Sequence, residues 1–135
     1  MDEMNPDLGH DAAKNEAALI LASLPNPVFV LDAEDHFLFL NQAAEMFFDS
    51  SAAMLHGTAL SAQIPEDSNL NMLLARSRSQ MASVADQGIE IAGPRLGLKL
   101  LNVQIAPFGD RNMQSGRMLV TLQERALAER LRGQS

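Results

Sequence analysis

The 135-residue sequence contains no cysteine, no tryptophan and no tyrosine. Without cysteine there is no disulfide, no thiolate metal site, no thiol nucleophile and no flavin–cysteinyl adduct. A reducing compartment fits that composition. Six phenylalanines are the only aromatics, so the core has to be built mainly from Leu, Ile, Val, Ala and Met. Long hydrophobic runs are missing too: Ala17–Ala22 and Pro27–Leu31 are far too short to span a bilayer. Met1–Asp11 is acidic and polar, with no basic stretch ahead of an apolar one, so no secretory signal is expected. Positive charge is scarce. Ten Lys plus Arg stand against seventeen Asp plus Glu, a formal net charge of −7, which would repel a phosphate backbone. The one basic cluster, Arg125, Arg130 and Arg132, is interleaved with Glu124 and Glu129. The composition predicts a cytoplasmic protein without nucleic-acid or membrane partners.

What is present is enough for one domain. Apolar residues make up 47% of the chain, and this length suits a single core rather than two. Residues 1–11 read as a flexible leader. In residues 12–24, Ala13, Ala17, Ile20, Leu21 and Leu24 recur at spacings of three and four and form one apolar helical stripe, which Pro25 and Pro27 stop. Val28–Asp32 and His36–Asn41 read as the strands of a hairpin. Asn41 sits where a helix N-cap is wanted, before Gln42–Phe48, with Ala44, Phe47 and Phe48 as core candidates. A short helix Ala52–Leu55 and a turn near Leu60–Gln63 follow. The longest helix is expected from Asn69 to about Ala85, with Leu70, Leu73, Leu74, Met81 and Val84 inward and Arg76, Ser79 and Gln80 outward. Gln87–Ala92, Gly97–Pro107 and Gly116–Gln123 read as strands, and Glu124–Arg132 as a helix start carrying Leu127 and Leu131.

Two strands, a helical block and three strands predict an α+β fold: a five-stranded antiparallel sheet with helices on one face. The strands are apolar in both phases. Val28, Val30, Phe37, Phe39, Leu98, Leu100, Leu119 and Leu122 are divided between a core face and an outer face, in proportions that depend on register. An antiparallel sheet with one wet face should alternate apolar and polar residues. A second apolar face calls for a cover, and the helix over residues 12–24, from the same chain or a second copy, is the nearest candidate. Pairing across a two-fold axis would make the domain a homodimer. Leu127 and Leu131 fit the first turns of a coiled-coil seam.

Particular residues resemble the PAS family. Ile20–Asp32 (ILASLPNPVFVLD) is similar to the entry motif, a helix ending on Leu-Pro before an apolar strand closed by Asp32. Leu40–Met46 (LNQAAEM) resembles the stretch in which Asn41 opens the next helix, and His56-Gly57-Thr58 resembles the Gly57-type turn before the crossover. A narrower resemblance is to the NtrB family of nitrogen-regulation sensor kinases, through the polar leader, the turn Leu55–Thr58 and a last strand running into a charged helix. That resemblance implies a sensory and dimerisation domain of a two-component histidine kinase controlling nitrogen-responsive transcription. In that family the phospho-accepting His and the ATP-binding domain follow in the next segment, which this sequence is expected to stop short of. It also implies that the parent passes phosphate to an NtrC-type response regulator and is governed by a P-II signal protein, both engaging other domains. On this reading residues 1–11 are a flexible leader, 12–24 an N-terminal helix, 25–123 the PAS domain and 124–135 the start of a linker or signalling helix.

No catalytic, metal or cofactor residue is expected. His10 lies in the leader, His36 in a hairpin turn and His56 before Gly57. Haem-binding relatives ligate through a His on the long helix, and Asn69–Ala85 has none. The carboxylates Asp32, Glu34, Asp35, Glu66 and Asp67 suit turns and caps, and no hydrolase, zincin, dinucleotide or phosphate-loop motif occurs. The alternative function is a ligand-sensing domain that binds a small metabolite or cofactor between sheet and helices, with Asn102 and Gln104 to orient it.

Overall fold

A computed structural model describes residues 25–93, 95–108 and 116–125. Their order is β1 (Val28–Leu31), β2 (Phe37–Leu40), α1 (Gln42–Phe48), α2 (Ala52–Leu55), a 3-10 turn (Leu60–Ala62), α3 (Asn69–Gln80), β3 (Val84–Gly93), β4 (Gly97–Pro107) and β5 (Met118–Arg125). The strands form one sheet in the order β2-β1-β5-β4-β3, with every neighbouring pair antiparallel. β1, first in sequence, therefore lies next to β5, the last. The helical block has to cross the sheet to connect β2 with β3 at the opposite edge, and in doing so it covers one face.

That covered face is the core. Phe29, Leu31, Phe37 and Leu40 from the first hairpin join Ile89 and Ile91 of β3, Leu101, Val103 and Ile105 of β4, and Met118, Val120 and Leu122 of β5. The helices contribute Ala44, Phe48, Leu55, Leu70, Leu73 and Leu74. The scarce aromatics are concentrated here. The rings of Phe29, Phe37 and Phe48 meet edge to face, with centroids 5.3–5.5 Å apart, an arrangement worth about 1 kcal/mol per pair beyond area burial. Phe47 packs half-buried against Phe48.

The capping chemistry explains where the helices begin. Asn41, Ser51 and Ser68 each accept a hydrogen bond from a first-turn amide, those of Ala44, Met54 and Asn71. The ends are less legible. α3 stops at Gln80, where Met81 takes a left-handed conformation (φ 51°), rather than running on to Ala85. Val84 and Ala85 instead pair with Ile105 and Gln104. At the other end, Glu124 and Arg125 are not helical: they pair with Leu101 and Leu100 in β5, and Lys99 Nζ lies 3.1 Å from Glu124 Oε1. Cross-strand pairing overrides the helix propensity of these two residues. The rest of the expected signalling helix, and the helix over residues 12–24, lie outside the described residues.

A bulge in β2 corrects the expected facing of the first hairpin. Leu31 is opposite Phe37 but Val30 is opposite Phe39, leaving Leu38 as the extra residue. Phe37 therefore points into the core while Phe39 points out, although strict alternation would put both on one side.

Candidate functional site

Three motif residues build the framework of the first hairpin. Asp32 closes β1: its Oδ1 accepts from the amides of Glu34 (2.8 Å) and His36 (2.9 Å), which turns the chain. Partial burial opposes its charge, but these two amide bonds and the His36 imidazole outweigh burial and hold the carboxyl below its ordinary range. Asn41, 1% exposed, is both a helix cap and a strand staple. Its Oδ1 accepts from Ala44 N (2.9 Å) and Val28 N (3.0 Å), and its Nδ2 donates to Asn26 O (2.9 Å). Gly57 has φ +80°, a left-handed conformation that glycine adopts without strain, and its amide donates to Phe37 O (2.8 Å).

A fourth residue was not legible. Arg78, in the last turn of α3, donates from Nη2 to Asp32 O (2.9 Å) and from Nε to Gly116 O (3.3 Å). The same Nη2 lies 2.6 Å from Asp35 Oδ1, a charge pairing rather than a directed hydrogen bond. Asp35 holds φ 63°, which Asp tolerates better than most residues. One guanidinium thus joins α3, the β1–β2 turn and the entry to β5. In the sequence Arg78 looks like one more polar residue on an exposed helix, because all three partners are distant in the chain.

The outer face divides the apolar strand residues as follows. Phe37 and Leu122 belong to the core. Register places Val28, Val30, Phe39, Leu98, Leu100 and Leu119 on the other side. Val28, Val30 and Leu100 are buried without belonging to the core cluster, Phe39 and Leu119 are half-buried, and Leu98 is 51% exposed. Phe39, Val30, Leu119 and Ala106 are successive partners across four strands, a continuous apolar row. The candidate dimerisation residues, Ala13, Ala17, Ile20, Leu21 and Leu24 expected to cover it and Leu127 and Leu131 expected to begin a coiled-coil seam, lie outside the described residues.

Beside that row the outer face becomes polar. Thr121 is opposite Gln104, and Asn102 is opposite Gln123. These residues, with Asn26, Ala85, Asp86, Gln87, Val103 and Leu122, line an open cleft of about 250 Å³. On the inner face, between sheet and helices, the side chains of Leu70, Leu74, Leu101 and Ile105 are fully buried. Asn102 and Gln104, expected to orient a ligand there, stand on the opposite side of the sheet.

The remaining titratable groups are dispersed. His36 forms a bridge with Ala59, its Nδ1 3.6 Å from Asp32 Oδ1, and His56 ends α2 at the surface. Among the described residues no three His, Asp or Glu converge as a metal site, and no helix is long and apolar enough to cross a membrane.

A five-stranded sheet in the order β2-β1-β5-β4-β3, with the helical crossover on one face, is the PAS architecture. The chain belongs to the PAS family, whose profile (PAS fold) matches residues 15–124. Within it, the chain is 32% identical over 122 residues to the sensory histidine kinase/phosphatase NtrB of Rhizobium meliloti (strain 1021), covering 90% of this chain and 31% of that protein. It is 28% identical over 116 residues to NtrB of Azospirillum brasilense, covering 86% and 28%. The chain thus spans less than a third of the length of these relatives. In fold it is similar to the crystal structure of the PAS domain of nitrogen regulation protein NR(II) from Vibrio parahaemolyticus, with a TM-score of 0.68 and 22% identity over 81% of this chain and 97% of that one.

Proposed function

We propose that this chain is the regulatory PAS region of an NtrB-type sensory histidine kinase in a cytoplasmic, nitrogen-responsive two-component system, and that it acts by pairing subunits. It does no chemistry itself on this reading. The parent's autophosphorylation, its phosphotransfer to an NtrC-type response regulator and its control by a P-II signal protein reside in other domains. The role of this domain is to set how two kinase chains face each other, so that partners bound elsewhere shift that geometry.

The observation that carries the proposal is the apolar row on the outer face, Phe39–Val30–Leu119–Ala106; Leu98 and Leu100 lie on the same face beyond the polar pairs Gln104–Thr121 and Asn102–Gln123. The buried members are satisfied within one chain. Phe39, Leu119 and Leu98 retain exposed apolar surface for a second copy, at roughly 25 cal/mol per Å² removed from water. The sequence stripe Ala13, Ala17, Ile20, Leu21 and Leu24, spaced at three and four, would supply a complementary face if it is helical as its pattern predicts, and a two-fold pairing would use both surfaces twice. Leu127 and Leu131 would carry the symmetry onward as a coiled coil. Leu21→Glu tests the helix: association weakens while circular dichroism retains the strand signal. Loss of the strand signal instead would make the helix a core element and contradict the assembly role.

A further inference from the structure

The outer-face cleft has a chemistry distinct from the apolar row, and a β-bulge creates it. In β3, Asp86 is opposite Val103 but Ile89 is opposite Leu101, so the strand carries an extra residue. Gly88 takes φ +72° at this bulge, and its amide donates to Asn102 Oδ1 (3.1 Å). The stapled bulge bounds one side of the cleft with Asp86 and Gln87. On the other side, Leu122 N donates to Pro27 O (2.9 Å) and brings Asn26 alongside β5. Between them lie Gln104 and Thr121, cross-strand partners on β4 and β5.

We propose that this cleft binds a small uncharged molecule bearing primary amide groups. The cleft measures about 250 Å³, room for a small metabolite. Carboxamides and a hydroxyl dominate its polar lining, and each carboxamide offers a donor pair and an acceptor at once. Asn102 is committed to the bulge and to Gln123. Among the described residues no hydrogen bond engages the side chains of Asn26, Gln87, Gln104 and Thr121, which can serve a ligand that both donates and accepts. Asp86 is the one charged residue of the lining, and the Arg125 guanidinium reaches Gly88 at its rim, so the site presents one charge of each sign and no net charge to recruit an ion. No aromatic lines it either, so the stacking surface that would favour a sugar ring is missing. The site lies across the sheet from the space between sheet and helices, on the same face as the apolar row.

The test is a titration of ¹⁵N-labelled protein with succinamide, followed by the backbone amides of β3, β4 and β5 and the side-chain amides of Gln87, Asn102 and Gln104. Succinate, with the same carbon skeleton and two negative charges, is the control. Succinamide should produce saturating shifts confined to these groups, and succinate should bind at least about tenfold more weakly. The double variant Gln104→Leu/Thr121→Val should weaken succinamide binding by about tenfold or more, the scale of one or two lost neutral hydrogen bonds, while resonances of the core face stay in place. Thr121→Val alone, an isosteric change, should give a smaller loss in the same direction and serves if the double variant does not fold. Shifts that do not saturate, that centre on the helical face, that are equal for succinate, or that are unchanged in both variants would overturn the proposal.

Discussion

The side chain of Asn41 reaches back thirteen residues to the amide of Val28, with Oδ1 3.0 Å from that nitrogen, while the Asn41 amide donates to Val28 O, also at 3.0 Å. The residue that starts α1 thus also fixes where β1 starts.

Asn41→Ala should therefore cost about 3 kcal/mol: about 1 for the lost cap and the rest for leaving the buried Val28 amide without its partner. Asn41→Asp keeps the acceptor but loses the bond to Asn26 O and sets a carboxylate oxygen against that carbonyl, so its cost should be intermediate only if the acceptor role dominates. Urea unfolding of the two variants gives the order. A cost for Asn41→Ala no larger than that of an exposed cap would contradict the staple.

Arg78 and Asp35 should be energetically coupled. Both are less than a third exposed, and the guanidinium serves two further carbonyls. Arg78→Met is expected to cost about 2 kcal/mol, with a coupling of about 1 kcal/mol to Asp35→Asn in a double-mutant cycle. Arg78→Lys should recover less than half of the loss, because a point charge cannot address three oxygens in a fork.

Asp32 sets an acid limit. Its carboxyl titrates below the ordinary value of 3.8 in the folded protein. Its stabilising contribution is thus complete above that value and is lost as pH falls through the lower folded one. Between pH 4 and pH 2 the wild type should lose stability more steeply than Asp32→Asn, which keeps an acceptor but does not titrate. Parallel melting-temperature profiles for the two proteins would contradict this assignment.

Two glycines should separate strain from collision. A Cβ at Gly57 would meet nothing within 4 Å, yet φ is +80°; a Cβ at Gly93 would lie 2.3 Å from Gln63 O. Gly57→Ala should cost about 1 kcal/mol, the left-handed penalty. Gly93→Ala should cost more, about 2–3 kcal/mol, because the backbone of β3 or of the segment at Gln63 has to shift. Equal costs in thermal unfolding would contradict this separation.

The framework was readable because its signals are local. Asn41, Ser51 and Ser68 announce their helices through capping, and Asp32 announces its turn within four residues. Signals spanning the chain were not readable. No local pattern separates Phe37 from Phe39, because the bulge that does so depends on pairing with β1. Glu124 and Arg125 have helical propensity and are held in β5 by Leu101 and Leu100. Ser77 is buried with its hydroxyl on Ala82 O (2.6 Å), a contact that exists only because α3 ends earlier than its apolar pattern implies. Asn102 and Gln104 were recognisable as unusual strand residues, but their side of the sheet follows only from register.

The apolar row on the outer face is the feature that most needs an independent measurement. Light scattering from the wild-type chain across micromolar concentrations, beside Leu119→Glu, tests it directly. The wild type should be a dimer, and the variant should shift toward monomer with unchanged strand content. A wild-type chain that stays monomeric over the whole range, or a variant that associates as tightly as the wild type, would contradict it.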